Sequence, residues 1–374
     1  MDLVDRKSFH VSNSFLLDHG GNLEEEAERL GVKINSLIDA SASLVPFSLP
    51  RRLKHCLIET LQGTDLKNYP NRNHSSLKEA IANHHQVSPD MVLPGNGASE
   101  LITWAARDAA SQGINLLPSP GFSDYKRALQ CWNGNFVESP LPLKWESIFP
   151  HTFPLKGIGN VIWITNPHNP TGQSWSRNSL ENLLFNYNLV ICDEAFLPLV
   201  PNGEKESLIP LVKCYPNLIV IRSLTKLFSI AGLRLGYAIS SSKRLKEWQE
   251  CRDPWPLNAL AIATGKAIMS EQNILQKQIK KVQGWVKEEG AWLHSNLKNF
   301  KGIISHPSST NFQLIESNVS LIKFREDLAR KNILLRDCQS FQGLGENWLR
   351  ISLQSKANNR RIVKAINEII EYIA

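Results

Sequence analysis

The residues around Lys226 are the part of the sequence best suited to covalent chemistry. An apolar run, Leu218 to Ile221, leads to Ser223, and Arg234 follows the lysine. A lysine here is either a surface charge at a strand end or a desolvated amine used as a nucleophile. The spacing favours the nucleophile, because the hydroxyl before Lys226 and the guanidinium after it could grip a phosphate beside the amine.

Three further segments could complete such a site. The glycine-rich turn from Pro94 to Ser99 precedes a predicted helix, whose N-terminal N–H groups suit a phosphate. The loop 166–172 contains two Asn-Pro dipeptides and so can neither continue a strand nor begin a helix, which fixes Asn169 rigidly. Asp193 ends an apolar run and is either a strand end meeting solvent or a carboxylate at the edge of a parallel sheet.

The elements that position these residues follow from hydrophobic patterning. Apolar strands alternate with helices from about residue 90 to 240, which predicts a parallel, helix-covered sheet whose ligands bind at the carboxyl ends of the strands. The segment 254–258 breaks this pattern. One long helix is expected over 259–299, followed by short strands and a final helix that form a smaller α+β unit.

Composition narrows the class of protein. The chain has 374 residues, 42% hydrophobic and 21% charged residues, and a net charge of +7. The basic residues are scattered, so we expect no nucleic-acid partner, and the positive field suits anionic small molecules. Six widely spaced cysteines predict reduced thiols and no metal site. No apolar stretch is long enough to span a bilayer and no secretory signal is apparent, so we expect a cytoplasmic protein without a membrane partner.

Four motifs occur in a characteristic order: Gly95-Asn96-Gly97, the loop 166–172, Asp193-Glu194-Ala195, and the segment from Ser223 to Arg234. Together they resemble fold-type I pyridoxal 5'-phosphate (PLP) enzymes, the aspartate aminotransferase superfamily. The resemblance covers nearly the whole chain. It implies an α/β fold with a large, mixed, mostly parallel sheet domain covered by helices and a smaller α+β domain. The implied boundaries are 1–45 for an N-terminal substrate segment that packs with the small domain, 46–253 for the PLP-binding domain and 254–374 for the small domain.

The resemblance also assigns roles to residues. Lys226 would attach the cofactor and then act as acid–base catalyst. Asp193 would pair with the pyridine nitrogen, Asn169 would donate to the phenolic oxygen, and Phe122 would stack on the ring. The phosphate would be held by Gly97, Ala98, Ser99, Ser223 and Arg234. Tyr69 would reach a phosphate across a dimer interface, which implies a homodimer.

Two subfamilies are similar by motif, the threonine-phosphate decarboxylases of cobalamin biosynthesis and the histidinol-phosphate aminotransferases. The segment from His19 to Asn22 resembles the substrate segment of the decarboxylases, and Phe196 stands where the aminotransferases usually carry a tyrosine. The expected reaction is loss of carbon dioxide from O-phospho-L-threonine to give (R)-1-amino-2-propanol O-2-phosphate. Arg350 would bind the substrate carboxylate. The substrate phosphate would be held by Arg336, His19 and Gly20.

Alternatives to this expectation stay open. Ser43 stands where the decarboxylases carry a substrate-contacting asparagine, so a related substrate such as O-phospho-L-serine is a second possibility. Histidinol-phosphate aminotransferase is the first rival activity, with any other PLP-dependent aminotransferase beside it. A non-catalytic regulator on the same fold is the other rival, which the retained lysine and the lack of a DNA-binding extension disfavour.

Overall fold

The computed structural model describes residues 20–63, 66–154 and 157–370. The strands in chain order are β1 (Ile38–Ala40), β2 (Val92–Asn96), β3 (Asn115–Ser119), β4 (Phe136–Pro140), β5 (Val161–Thr165), β6 (Leu189–Asp193), β7 (Leu218–Ser223), β8 (Leu235–Ile239), β9 (Ile304–Ser305), β10 (Phe312–Glu316), β11 (Ile333–Asp337) and β12 (Trp348–Ser352). The helices are α1 (Leu23–Leu30), α2 (Arg51–Gln62), α3 (Ser75–His85), α4 (Gly97–Ser111), α5 (Asp124–Cys131), α6 (Arg177–Glu181), α7 (Thr225–Phe228), α8 (Ser242–Cys251), α9 (Ala259–Ser270), α10 (Gln272–Leu297), α11 (Ile322–Arg330) and α12 (Lys356–Ile369).

A seven-stranded sheet in the order β2-β8-β7-β6-β5-β3-β4 forms the larger part of the molecule. Every neighbouring pair is parallel except those that involve β8, which runs antiparallel to β2 and β7. Successive residues of β5, β6 and β7 alternate between two hydrophobic clusters. Both faces of these strands are therefore buried, which explains their continuous apolar sequences and confirms the predicted helix-covered α/β sheet.

The carboxyl ends of the parallel strands bring the predicted motifs to one edge of this sheet. Asn96, Thr165, Asp193 and Ser223 are the last residues of β2, β5, β6 and β7. The antiparallel strand β8 begins at this same edge, where its second residue, Gly236, lies opposite Ser223. Arg234, which directly precedes β8, therefore lines the same cavity as the last residues of β5, β6 and β7.

A five-stranded sheet in the order β1-β11-β12-β10-β9 forms the second layer of strands. The short N-terminal strand β1 runs parallel to β11, and the remaining pairs are antiparallel. Arg336 of β11 lies directly opposite Arg350 of β12 in this register. The N-terminal part of the chain is thus tied to its C-terminal third.

The single helix expected over 259–299 is two helices. The prediction was wrong at Glu271, whose ψ of 76° is not helical and separates α9 from α10. Helix α9 packs on α2 and α3, whereas α10 contacts α12 and β10. The boundaries at residues 45 and 253 stay a prediction. Within the described ranges, no helix combines the length and apolar character needed to cross a membrane.

Candidate active site

A cavity of about 340 Å³ opens at the carboxyl edge of the seven-stranded sheet and reaches the five-stranded sheet. Strand ends, the first turn of α4 and the arginines of β11 and β12 contribute to its walls. Most of the residues that the sequence predicts for the site line this cavity: Gly20, Ser43, Ala98, Ser99, Phe122, Asn169, Asp193, Ser223, Lys226, Arg234, Arg336 and Arg350.

Two of the predicted residues that the structure describes, Gly97 and Tyr69, do not line the cavity. Gly97 lies behind its wall, and a Cβ added there would lie 2.5 Å from Nη2 of Arg234. Tyr69 is 79% exposed and its ring packs against Trp255, with the centroids 4.5 Å apart. The predicted role of Tyr69 toward a partner's phosphate is untested in this single chain. His19 lies outside the described residues.

One end of the cavity presents hydrogen-bond donors suited to a phosphate. Gly97 begins α4, so Ala98 and Ser99 offer backbone N–H groups at the positive end of the helix dipole. The N–H of Gly97 donates to the carbonyl oxygen of Arg234 at 3.0 Å. The φ of +75° at Gly97 favours a glycine, and a Cβ there would also displace the guanidinium of Arg234.

Asp193 supplies a buried carboxylate at another wall of the cavity. Its Oδ1 accepts the N–H of Ala195 at 3.0 Å and its Oδ2 accepts the hydroxyl of Tyr125 at 2.9 Å. Because Tyr125 donates to Asp193, the 2.8 Å contact between Tyr125 and Thr165 has Thr165 as the donor. Burial raises the pKa of Asp193, whereas the two donors and the charge of Lys226 lower it. A carboxylate in this environment could bind and charge a ring nitrogen.

The sequence predictions did not include Tyr125 and Thr165. Both lie close to residues that were predicted, since Thr165 directly precedes Asn166 and Tyr125 is three residues beyond Phe122. The only signal for Thr165 was its place at the end of a buried strand. Tyr125 carried no signal, because its contact with Asp193 joins positions that are 68 residues apart.

Lys226 projects into the cavity from α7, which directly follows β7. Burial lowers its pKa to about 8, and the nearby charge of Arg350 acts in the same direction. The Nζ atom lies 5.5 Å from the ring centroid of Phe196. A lysine with this pKa has an appreciable neutral fraction near pH 7, so its amine could act as a nucleophile and carry protons.

Arg350 is held in place by contacts from two directions. Its Nη1 donates to Oδ1 of Asn169, and its Nη2 donates to the carbonyl oxygen of Ser41 at 3.0 Å. Since the carboxamide oxygen of Asn169 is the acceptor for Arg350, its amide nitrogen is the group that can donate to a cofactor. Within the described part of the chain, Nε of Arg350 is buried without an acceptor. Burial and the charge of Arg336 lower the pKa of Arg350 to about 10.

Arg336 and the residues near the N-terminus complete the opposite wall. Nη2 of Arg336 donates to Oγ of Ser340 at 2.5 Å. The N–H of Gly21 donates to Oγ of Ser41 at 3.0 Å, and a Cβ added at Gly20 would lie 2.6 Å from the Ser41 carbonyl oxygen. Ser43 shares a 2.9 Å hydrogen bond with Ser352. Ser41 therefore joins the start of the described chain to Arg350, a contact that the sequence did not reveal.

Comparison with known proteins defines the class of the chain. The profile of the family "Aminotransferase class I and II" matches residues 36–366. The chain is 30% identical over 369 residues to threonine-phosphate decarboxylase of Salmonella typhimurium, covering 95% of this chain and 97% of the relative. It is 28% identical over 355 residues to histidinol-phosphate aminotransferase 2 of Pasteurella multocida, covering 94% of each. The solved L-threonine-O-3-phosphate decarboxylase of Porphyromonas gingivalis has a TM-score of 0.76 at 24% identity, covering 88% of this chain and 98% of that one.

The chain belongs to the aminotransferase class I and II family, which shares the aspartate aminotransferase-like fold. It is an enzyme of this superfamily, and its cofactor is PLP. The donor set of the cavity fits this cofactor. A helix N-terminus and Arg234 suit its phosphate, Asp193 suits its pyridine nitrogen, and Lys226 carries an amine of lowered pKa.

Proposed function

We propose that this enzyme decarboxylates O-phospho-L-threonine to (R)-1-amino-2-propanol O-2-phosphate in cobalamin biosynthesis. The observation that carries the proposal is the pair of buried arginines, Arg336 and Arg350, which face each other across β11 and β12 and line one cavity. Two adjacent buried cations are costly unless anions compensate them. Arg336 already has one carboxylate nearby, since its Nη1 lies 3.8 Å from Oδ2 of Asp337. A substrate with a phosphate and a carboxylate would add one further anion beside each guanidinium.

We assign one anionic group of the substrate to each arginine on the basis of its contacts. Arg350 binds the carboxylate, because its bond to Asn169 ties it to a residue that we assign to the cofactor. Arg336 binds the phosphate, together with the backbone of Gly20 and with His19. The relative of 30% identity is named threonine-phosphate decarboxylase, which supports a substrate with these two groups.

The same roles as in the sequence-based prediction are proposed for the cofactor site. PLP supplies an electron sink that stabilises the carbanion left when the carboxylate departs. Asp193 keeps the ring nitrogen protonated and Asn169 donates to the phenolic oxygen. Phe122 covers the ring, and Lys226 holds the proton that is delivered to Cα. The phosphate of the cofactor is bound by Gly97, Ala98, Ser99, Ser223 and Arg234.

Histidinol-phosphate aminotransferase is the second candidate, because a relative with this name is 28% identical to the chain. Phe196 favours the decarboxylase. It lies beside Lys226 and packs edge-on against Phe312 at 5.3 Å, so this wall of the cavity is apolar. A tyrosine hydroxyl here would be the extra donor that we expect of the aminotransferases.

The experiment is an assay of the purified protein loaded with PLP. We expect carbon dioxide from carboxyl-labelled O-phospho-L-threonine without any keto acid, and none from a Lys226→Ala variant. An obligatory 2-oxoglutarate requirement with histidinol phosphate would instead establish the aminotransferase. O-Phospho-L-serine is assayed in parallel, because Ser43, whose hydroxyl bonds Ser352, stands at the position that distinguishes this chain from the decarboxylases.

We also propose that the enzyme is a cytoplasmic homodimer in which Tyr69 contributes to the partner's phosphate site. The exposed ring of Tyr69 outside its own cavity supports this proposal. Exposed apolar residues of α2 and the following loop lie near it in sequence, namely Ile58, Leu61 and Leu66. A second copy that covers these side chains would remove their apolar surface from water.

A further inference from the structure

Residues 338–344 lie in the connection between β11 and β12 and are called the strap below, and one of them, Phe341, lines the cavity. The apolar residues of the strap, Cys338, Phe341 and Leu344, are buried and form a small cluster with Leu314 and Trp348. The strap is therefore anchored to the five-stranded sheet. Gly343 has a φ of +91°, which allows the turn back toward β12.

The inner side of the strap contacts Arg336. Oγ of Ser340 accepts a hydrogen bond from Nη2 of Arg336, and the guanidinium carbon lies 5.5 Å from the ring centroid of Phe341. Phe341 itself lines the cavity. The position of this one arginine and the conformation of the strap are thus set by shared contacts.

The outer side of the strap contacts the other half of the molecule through Gln342. Oγ of Ser119, the last residue of β3, donates to the carbonyl oxygen of Gln342 at 3.0 Å. Nζ of Lys126 on α5 donates to Oε1 of Gln342 at 2.9 Å. Ser119 begins the turn that leads to Phe122. One exposed glutamine therefore links the strap, which is anchored to the five-stranded sheet, to β3 and α5 of the other half of the molecule.

We propose that the strap closes the cavity over a phosphate group bound at Arg336, with Gln342 as the positioning residue that holds it closed. The inference rests on the proposed function for the identity of the anion. An anion that fixes Arg336 also fixes Ser340 and Phe341, and the contacts of Gln342 then hold the strap against β3 and α5. The strap thereby favours phosphorylated ligands over their unphosphorylated counterparts.

The position of Gln342 makes the proposal testable without unfolding the protein. Gln342 is exposed, so Gln342→Ala removes the contact with Lys126 and leaves the buried cluster of the strap intact. Gln339→Ala is the matched control, because Gln339 is also exposed and lies in the same strap. Glu138→Gln is the second control. It removes the 2.7 Å ion pair between Lys126 and Glu138 but keeps the contact of Lys126 with Gln342.

The experiment measures the binding of isopropyl phosphate to the holoenzyme by calorimetry and amide hydrogen exchange of the strap. This probe carries a phosphate but no amino group or carboxylate, so it is not consumed. We expect the probe to slow exchange over 338–344. Gln342→Ala should reduce that protection and weaken the probe's binding on the order of fivefold, the loss typical of one hydrogen bond, whereas both controls keep both properties. Acetate, the carboxylate probe, should bind all four proteins equally.

The outcomes separate this proposal from the proposed function. Equal protection and equal probe affinity in Gln342→Ala and Gln339→Ala would overturn the proposal that the strap closes the cavity. If the wild-type enzyme releases carbon dioxide from O-phospho-L-threonine but the probe does not protect 338–344, the proposed closure is overturned and the proposed decarboxylase activity is supported. If the probe protects residues 338–344 and Gln342→Ala reduces this protection, the proposed closure is supported even when no carbon dioxide is released. The absence of carbon dioxide would then overturn the decarboxylase alone.

Discussion

Burial shifts the pKa values of three groups at the site. Burial lowers the pKa of Lys226 and of Arg350, and it raises the pKa of Asp193 against the pull of its two donors. A lysine with a lowered pKa is a better nucleophile near pH 7. An arginine in the same cavity keeps its charge at this pH, so it can bind an anion while a fraction of the lysine is neutral.

The pKa of Lys226 gives a prediction about pH in the apoenzyme. An amine with a pKa of about 8 is mostly protonated below that pH and mostly neutral above it. We expect the rate of acylation of Lys226, followed by peptide mass spectrometry, to reach half its maximum near pH 8. The peptide with Lys246, which is 79% exposed, is the internal control for the reagent. A half-maximum near 10.5, the ordinary lysine value, would show that the cavity does not lower the pKa.

The hydroxyl of Tyr125 gives a second prediction at this scale. Tyr125→Phe removes one of the two donors to Asp193, so the carboxylate becomes harder to ionise and binds the cofactor nitrogen less well. We expect the dissociation constant for PLP to rise about tenfold, since a hydrogen bond to a charged group contributes about 1.5–3 kcal/mol. Equilibrium dialysis measures it. Tyr187→Phe, which removes a bond to the Gly157 carbonyl oxygen, is the control, and equal affinities for the two variants would refute the role.

At the scale of elements, an ion-pair network fixes the adjacent ends of β6 and β7. Arg222 and Glu194 each adjoin a site residue, Ser223 and Asp193 respectively, and both side chains are buried. Arg222 bonds Glu194 at 2.8 Å and Glu204 at 2.7 Å, and Ser207 donates to Glu194 at 2.7 Å. The network therefore adds side-chain contacts to the pairing of β6 with β7 at the strand ends that carry the proposed cofactor residues.

Removal of Arg222 should show how much the strand ends depend on this network. Arg222→Met leaves the buried carboxylate of Glu194 without its partner, which typically costs about 3–5 kcal/mol. We expect guanidinium unfolding of the apoenzyme to shift accordingly, and the double variant Arg222→Met/Glu194→Gln to recover part of the loss. Lys331→Met, which breaks an exposed pair with Glu368, should cost less than about 1 kcal/mol. Similar losses in Arg222→Met and Lys331→Met would contradict a structural role for the network.

The sequence predicted the elements better than the contacts between them. Hydrophobic patterning predicted all of β5 and the first four residues of both β6 and β7, because strands buried on both faces have continuous apolar sequences. It did not reveal the break at Glu271, where no glycine or proline marks the end of a helix. The contacts of Ser41 with Arg350 and of Tyr125 with Asp193 were also not predictable, since each joins positions far apart in the chain. Such pairs follow from the register of the sheets and not from local sequence.

At the scale of the whole molecule, the cavity lies between the two sheets, so both must keep their relative positions for the site to exist. The seven-stranded sheet contributes the proposed cofactor residues, and the five-stranded sheet contributes Arg336 and Arg350. The bond from Arg350 to Asn169 crosses between them. The proposed dimer extends this dependence to a second chain through Tyr69.

A hybrid dimer of two variant chains tests whether each site depends on Tyr69 of the partner chain. Tyr69→Phe should weaken the cofactor site of the partner chain, whereas Lys226→Ala inactivates its own site. If each site takes Tyr69 from the partner, a hybrid of the two variants contains one native site and regains activity that neither variant has alone. We expect this recovery when the two chains are co-expressed and the hybrid is purified with two different tags. A monomeric protein, or a hybrid with no more activity than Tyr69→Phe, would contradict the shared site.

The most direct test of the proposed reaction is the fate of Cα when the holoenzyme acts on O-phospho-L-threonine in deuterium oxide. Decarboxylation replaces the carboxylate by a solvent-derived proton, so nuclear magnetic resonance should show 1-amino-2-propanol O-2-phosphate with a single deuterium on C1, formed without a keto acid. Recovery of a 2-oxo acid, or of unreacted substrate whose Cα–H alone has exchanged, would contradict the proposal that Arg350 presents the carboxylate as the group to be lost.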